Sequence, residues 1–268
     1  MVLRSLKTRR DLLEYTRRAL DASGVRPSKR LGQHFLVDPR GVRLFAEALE
    51  SSFARRFLEV GPGVGSITLA VSEFSELIVA VEIHPRLASF LAELGLENVL
   101  VLRGDGVEVA SSTLMEAVYS NTPYNISAPL ILALARNNHV REAVLGVQLE
   151  VAERLLAKPG SESYGRLTAV TQRVFSVEKV GVIPSEYYFP EPEVHGAVVK
   201  LVRRKAWSRE DDLVEAVARC LFTGRNKKVA KMVRRCFEIE LEDLSLGEKR
   251  VRELSPEDLE KIALTIEL

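Results

Sequence analysis

No run of apolar residues in this sequence approaches the roughly 20 that a membrane-spanning helix needs. The basic start, Met1 to Arg10, lacks the apolar stretch of a secretory signal, so a cytoplasmic protein is the expectation. Cysteine is scarce. Cys220 and Cys236 are the only two, and they form neither a CxxC pair nor a Cys/His cluster. That spacing argues against metal ligation, and both cysteines read as small core residues of a reducing compartment. Internal repeats and low-complexity tracts are also missing.

What is present is a chain of 268 residues, 46% apolar, which excludes wholesale disorder. Such a length suits one α/β domain of about 200 residues with a smaller appendix. Charged residues make up 28%, a composition that would suit a thermophile. The net charge of +1 points to no partner, but its distribution is uneven. Residues 1–43 hold 11 Lys/Arg against 4 Asp/Glu, and residues 200–235 hold 12 against 4. Residues 237–268 reverse the balance, with 4 against 10. The two basic segments are candidates for phosphate binding; solvated helix faces are the plainer alternative.

Leu3–Leu20 has the apolar spacing of an amphipathic helix, closed by Ser23-Gly24. Asp38-Pro39 reads as a helix start, with Asp as N-cap and Pro at the first helical position. Short apolar strands then alternate with helical stretches: 57–60, 77–82, 99–102, 117–120, 144–148, 174–182 and 196–202. That alternation predicts a doubly wound, Rossmann-like α/β sheet of seven strands. Only the Pro-rich stretch 184–192 separates the last two strands, so that pair should be antiparallel. Beyond Arg203-Arg204-Lys205 the pattern is helical only, with apolar stripes at 211–222, 227–237 and 256–264. Two domains are expected: 1–204, whose first 24 residues are a helical extension, and a smaller helical domain, 205–268.

The segment Phe57-Leu58-Glu59-Val60-Gly61-Pro62-Gly63-Val64-Gly65-Ser66 reads as strand, glycine turn and helix. Such a turn lets a ligand approach the backbone. A dinucleotide fingerprint would place its third glycine at 66, which is Ser, and no Lys follows to make a P-loop. Glu82 ends the next strand, where a carboxylate can accept both ribose hydroxyls, and Asp105 follows the third strand, within reach of an adenine amino group. A nucleoside pocket without pyrophosphate machinery suits S-adenosylmethionine better than NAD.

After the fourth strand comes Ser120-Asn121-Thr122-Pro123-Tyr124-Asn125-Ile126-Ser127. It fits the Asn/Asp-x-Pro-Tyr/Phe pattern of enzymes that methylate ring-conjugated amino groups. Such an amine is a poor nucleophile because its lone pair is delocalised into the ring. Two acceptors aimed at its hydrogens, the Asn121 amide oxygen and the Thr122 carbonyl, favour the tetrahedral nitrogen that can attack. Pro123 fixes the turn and Tyr124 can stack on the base.

With these motifs the sequence resembles the rRNA adenine N6,N6-dimethyltransferases, the KsgA-type small-subunit enzymes and their Erm-type relatives. The resemblance runs from about Arg30 to Arg235. It rests on Leu31-Gly32-Gln33-His34-Phe35-Leu36, the glycine turn, Asn121–Ser127, Tyr188-Phe189-Pro190-Glu191-Pro192-Glu193-Val194, and Leu221–Lys228. It implies S-adenosylmethionine as cofactor, with His34 and Leu36 over its methionine end and Gly61, Gly63, Glu82, Asp105 and Asn121 around it. It implies a target base held by Thr122, Pro123, Tyr124 and Tyr188, the last an aromatic packed on the extruded adenine. Asn121 and Tyr124 would carry the chemistry. Arg225, Lys227, Lys228 and Lys231 would hold the RNA backbone, with Arg234 and Arg235 nearby. His34 stands where many members have Asn, Thr122 where they have Leu or Ile, His84 where they often have Asp, and Tyr188 where they have Phe. The expected partner is small-subunit rRNA or its precursor particle, met by a monomer without membrane or metal. The implied reaction dimethylates two adjacent adenosines near the 3′ end of that rRNA. An Erm-type enzyme acting on large-subunit rRNA, or an assembly factor with secondary catalysis, are the alternatives. An NAD oxidoreductase is disfavoured by Ser66.

Overall fold

A computed structural model describes residues 7–28, 32–241 and 243–267. The chain divides into two compact units, one of Met1–Ala152 and Glu178–Val202, the other of Glu153–Val177 and Arg203–Leu268. The chain passes between them three times, and the last passage lies beside residue 204.

The strands are β1 (Phe35–Leu36), β2 (Arg56–Val60), β3 (Leu77–Glu82), β4 (Val99–Arg103), β5 (Ala117–Asn121), β6 (Glu142–Gln148), β7 (Phe175–Ile183), β8 (Tyr188–Phe189) and β9 (Gly196–Arg203). Seven of them form one sheet in the order β4-β3-β2-β5-β6-β9-β7. The first five are mutually parallel, and β9 runs antiparallel to β6. β1 and β8 form a separate antiparallel pair, Phe35 opposite Phe189 and Leu36 opposite Tyr188.

The helices of the first unit are α1 (Arg9–Ser23), α2 (Pro39–Glu50), α3 (Ser66–Ser72), α4 (Pro85–Glu93), α5 (Gly106–Ser112) and α6 (Ser127–Arg136), followed by α7 (Leu149–Leu156), in which the chain crosses over. Asp38 caps α2 by accepting from the Arg40 backbone N–H, and Pro39 occupies the first turn, as the sequence pattern requires. α1 begins at a capping box between Thr8 and Asp11 and ends at Gly24, whose φ of 62° suits a residue without Cβ. The first residues of the predicted helix, 3–6, lie outside the described residues. Phe57 centres the core, with Tyr119 and Phe74 edge-on at 6.0 and 6.5 Å.

Strand order fixes where a ligand can sit. The chain goes from β2 to β3 and β4 on one side, then returns to β5 on the other. The carboxyl ends of β2 and β5 therefore open a crevice at the point where the winding reverses.

The second unit contains α8 (Arg166–Val174), α9 (Arg209–Leu221), α10 (Val229–Phe237), α11 (Leu244–Glu248) and α12 (Pro256–Glu267). α9 packs against α8, α10 and α12. Asp211, buried on α9, accepts from Arg173 at 2.7 Å and Lys205 at 2.8 Å. Burial alone would raise its pKa, but these cations and the Ser208 backbone hold it below the usual carboxylate range.

The cysteines correct the sequence reading. Cys220 of α9 and Cys236 of α10 form a disulfide, their Cα atoms 6.1 Å apart, so neither is a free core thiol. No local motif announces the pair. It exists because the turn Phe222–Gly224 lays α10 back beside α9, which brings together residues 16 apart in sequence. Among the described residues no helix is long and apolar enough to cross a membrane, and no group of three or more His, Cys, Asp or Glu could hold a metal ion.

Candidate active site

A cleft of about 1070 Å³, including space open to solvent, lies over the carboxyl ends of β4, β3, β2 and β5. Asp105, Glu82, Gly61 and Asn121 stand at or just beyond those strand ends in that order, and all four line it. So do His34, Leu36, Gly63, Thr122, Pro123, Tyr124 and Tyr188. One cleft thus gathers every cofactor and base residue that the motifs single out.

The glycine turn is shaped by sterics. Gly61 and Gly63 have φ of 68° and 59°, values that favour glycine. A Cβ on Gly63 would stand 2.9 Å from the Phe35 ring, whereas one on Gly61 would meet nothing nearer than Pro123 at 3.7 Å. Gly63 is therefore needed for packing against β1, whereas the backbone of Gly61 is less crowded, with only Pro123 at contact distance.

Glu82 is buried, and both its oxygens take backbone donors: Gly63 N–H at 3.0 Å and His84 N–H at 2.8 Å. Burial raises its pKa, with the backbone donors acting against that. The carboxylate thus fastens the glycine turn to the end of β3, and each oxygen keeps a lone pair for a ligand hydroxyl. Asp105 caps α5 through Oδ1, which accepts from the Val107 N–H at 2.8 Å. Its second oxygen is the one available to a ligand.

Asn121 donates from Nδ2 to the His34 carbonyl at 3.0 Å, which fixes its amide plane. Thr122 continues the β5–β6 ladder by donating its N–H to the Gly146 carbonyl, and Tyr124–Ile126 form a single 3-10 turn. The His34 ring lies 5.4 Å from the Tyr124 ring, and its Nδ1 donates to the Pro190 carbonyl at 2.7 Å. His34 therefore touches Asn121, Tyr124 and the segment after Tyr188. Leu36 is buried and fills the space over Gly41. Tyr188 is only 3% exposed, and a Cβ on Gly196 would fall 2.5 Å from its hydroxyl, so its ring is packed as much into the core as toward the cleft. Burial raises its pKa and pushes that of Tyr124 up to about 12.

Several contributors escaped sequence reasoning. Glu59, fully enclosed below the turn, accepts from Thr68 Oγ1 at 2.6 Å and Tyr119 Oη at 2.8 Å. Burial pushes its pKa up to about 7, and those two hydroxyls limit the rise. Ser120 Oγ ties β5 to β2 through the Val60 carbonyl at 2.7 Å. Tyr15 of α1 donates to the Val64 carbonyl at 2.7 Å. The buried hydroxyls of Ser66 and Tyr124, both cleft residues, have no hydrogen-bond partner among the described residues. A polar lining with unfilled donors suits a polar ligand.

The expected RNA-backbone residues divide. Arg225 is half-buried and donates to the Glu162 carbonyl, so it is built into the second unit. Lys228 pairs with Glu248 and Arg234 with Glu240. Lys227, Lys231 and Arg235 are exposed, without a salt bridge among the described residues. Leu31, the first residue of its motif, lies outside the described residues.

A family model for ribosomal RNA adenine dimethylases matches residues 25–267. The chain belongs to that family. As a member it is an rRNA adenine dimethyltransferase, with the α/β fold of the methyltransferases. It is 47% identical over 218 residues to a probable ribosomal RNA small subunit methyltransferase A from Aeropyrum pernix, covering 80% of this chain and 79% of that one. The relative of the same name from Methanothermobacter thermautotrophicus is 36% identical over 264 residues, 94% of this chain and 95% of its own. Among solved structures, a dimethyladenosine transferase from Plasmodium falciparum superposes with a TM-score of 0.75 at 23% identity, covering 87% of this chain and 98% of that one. The 23S rRNA methyltransferase ErmE superposes with a TM-score of 0.65 at 24% identity, covering 87% and 100%. At those identities the likeness is one of fold. This dimethylase therefore presents the family's motifs on the family's sheet.

Proposed function

We propose that this dimethylase uses S-adenosylmethionine to methylate the N6 amino groups of two adjacent adenosines near the 3′ end of small-subunit rRNA, during assembly of the small subunit in the cytoplasm. The observation that carries this reading is the row Asp105, Glu82, Gly61 and Asn121 across four adjacent strand ends, with Tyr124 beside it. The small-subunit substrate follows the names of the relatives from Aeropyrum and Methanothermobacter.

The cleft fits that cofactor. Its lining offers an acceptor pair at Glu82, a free oxygen at Asp105, uncrowded backbone at Gly61 and unfilled hydroxyls at Ser66 and Tyr124. Glu82 would hold the ribose, Asp105 the adenine amino group, and His34 and Leu36 the methionine end. When bound, the cofactor supplies an electrophilic methyl group on a sulfonium.

The chain's own task is to make a conjugated amine nucleophilic. The Asn121 amide, held from below by the His34 carbonyl, presents Oδ1 to one N6 hydrogen, and the Thr122 carbonyl takes the other. Both acceptors pull the nitrogen toward tetrahedral geometry, so they act most strongly in the transition state. Tyr124 holds the base by stacking, with its ring backed by His34. The proton becomes acidic only after the nitrogen has attacked, and water at the open side of the cleft can take it. Residues 205–268, with Lys227 and Lys231 exposed, would add sequence-independent hold on RNA, and we assign RNA binding to them.

The test is to incubate the protein with S-adenosylmethionine and unmethylated small-subunit particles, then map modified nucleotides. Dimethylated adjacent adenosines near the 3′ end are expected. Modification confined to large-subunit rRNA would replace this reading with the Erm-type one.

A further inference from the structure

α1 precedes the residues that the family model matches, yet it reaches the wall of the cleft that carries Tyr188. Arg9 donates from Nε and Nη2 to the Glu186 carbonyl, at 3.1 and 2.9 Å. Two turns along the helix, the Arg17 guanidinium lies over the Phe189 ring, 5.3 Å from its centroid. From α2, Arg40 lies over the Tyr187 ring at 4.5 Å. Three guanidiniums thus follow residues 186–189 in turn.

Their charge is not equally available. Asp38 holds Arg40 through both oxygens, at 3.0 and 2.9 Å, so that charge is compensated. Arg9 and Arg17 are exposed and make no salt bridge among the described residues. Of the three acids on α1, Asp11 closes the capping box and Glu14 pairs with Arg18, while Asp21, four residues beyond Arg17, makes no salt bridge with it among the described residues. Glu186 adds its field at Arg40. Arg9 spends two of its five N–H donors on a neutral carbonyl, and Asp38, itself held by Arg40, adds an opposing field there, so Arg9 keeps an exposed positive charge beside residues 186–189. An adenosine can enter a pocket only if its flanking phosphates run along the rim, where unpaired guanidiniums grip phosphate oxygens well.

We propose that Arg9 and Arg17 make α1 a phosphate-binding edge of the target-base wall, gripping the RNA strand on one side of the adenosine that enters the cleft. This rests on the reading of the cleft given above. The two residues stand eight positions apart, about 12 Å along the helix, so they meet different phosphates. Arg40 only braces Tyr187.

The experiment compares Arg9→Gln/Arg17→Gln, Arg9→Lys/Arg17→Lys and Arg40→Gln with the unaltered protein. Affinity for an unmethylated small-subunit rRNA fragment carrying the paired adenosines is measured over a range of salt concentrations. The double Gln variant should bind roughly tenfold more weakly at low salt, and its log–log salt slope should shrink by about 1.4, or about 0.7 per single-strand phosphate contact. The double Lys variant should keep the slope, and Arg40→Gln should leave it unchanged. Melting temperature and S-adenosylmethionine affinity should not move. If the double Gln variant does not fold, each single replacement is expected to remove about half of that slope change. An unchanged slope in the folded Gln variants, or an equal loss in Arg40→Gln, overturns the proposal and leaves the arginines as braces. Should the unaltered protein bind this RNA but transfer no methyl group, the proposed function fails while the slopes still judge the edge.

Discussion

Glu82 shows how one carboxylate serves both fold and site. Its oxygens anchor the Gly63 and His84 backbone, and the same oxygens face the cleft. Glu82→Ala should therefore weaken S-adenosylmethionine by on the order of 1–3 kcal/mol, the cost of unpaired ribose hydroxyls, and loosen the glycine turn as well. Calorimetry reads this directly; unchanged affinity would place the ribose elsewhere. Glu59, at the floor of the cleft, tests the cost of burial. Its pKa is raised from 4.5 to about 7, so ionising it costs stability. The sign follows: below the unfolded pKa there is no penalty, between the two values it grows with pH, and above about 7 it is complete. Glu59→Gln should raise the melting temperature at pH 8, by an amount worth at most about 3 kcal/mol, and change little at pH 5. An equal effect at both pH values would show that Glu59 is not held neutral. At this scale the gathering of Gly61, Glu82, Asp105 and Asn121 around one cleft was legible because each stands at a strand end. The Glu59–Thr68–Tyr119 group and the His34–Pro190 contact were not, because they join residues up to 156 apart in sequence.

Among the elements, periodicity located the seven strands of the large sheet well, β3 with the bounds observed and the other six within about two residues, but it missed the two-residue strands β1 and β8. Segment 153–177 was harder. Its helical pattern resembles any crossover after a strand, and nothing in its composition shows that it packs with the later helices. The disulfide was illegible for a similar reason, since two lone cysteines acquire meaning only when α9 and α10 lie side by side. Closing this 16-residue separation should stabilise the second unit by about 3 kcal/mol. Cys220→Ser, or a reductant, should lower the unfolding temperature of the α9–α10 region, followed by hydrogen exchange in those helices. No change on reduction would mean that the thiols are free in solution.

For the molecule as a whole, charge was the least decisive signal. The net +1 hides exposed Lys227, Lys231 and Arg235 on one basic stretch, without a salt bridge among the described residues. Reversing these three to Glu should weaken RNA binding and flatten its salt dependence, while S-adenosylmethionine affinity stays constant. A constant salt slope would reduce the stretch to a solvated face. The most direct measurement concerns Asn121, on which the proposed chemistry depends. Single-turnover methyl transfer to small-subunit rRNA should fall a hundredfold or more, on the order expected for losing a preorganised acceptor, in Asn121→Ala, with RNA affinity within about twofold of the unaltered protein. Near-normal transfer by that variant would contradict the account.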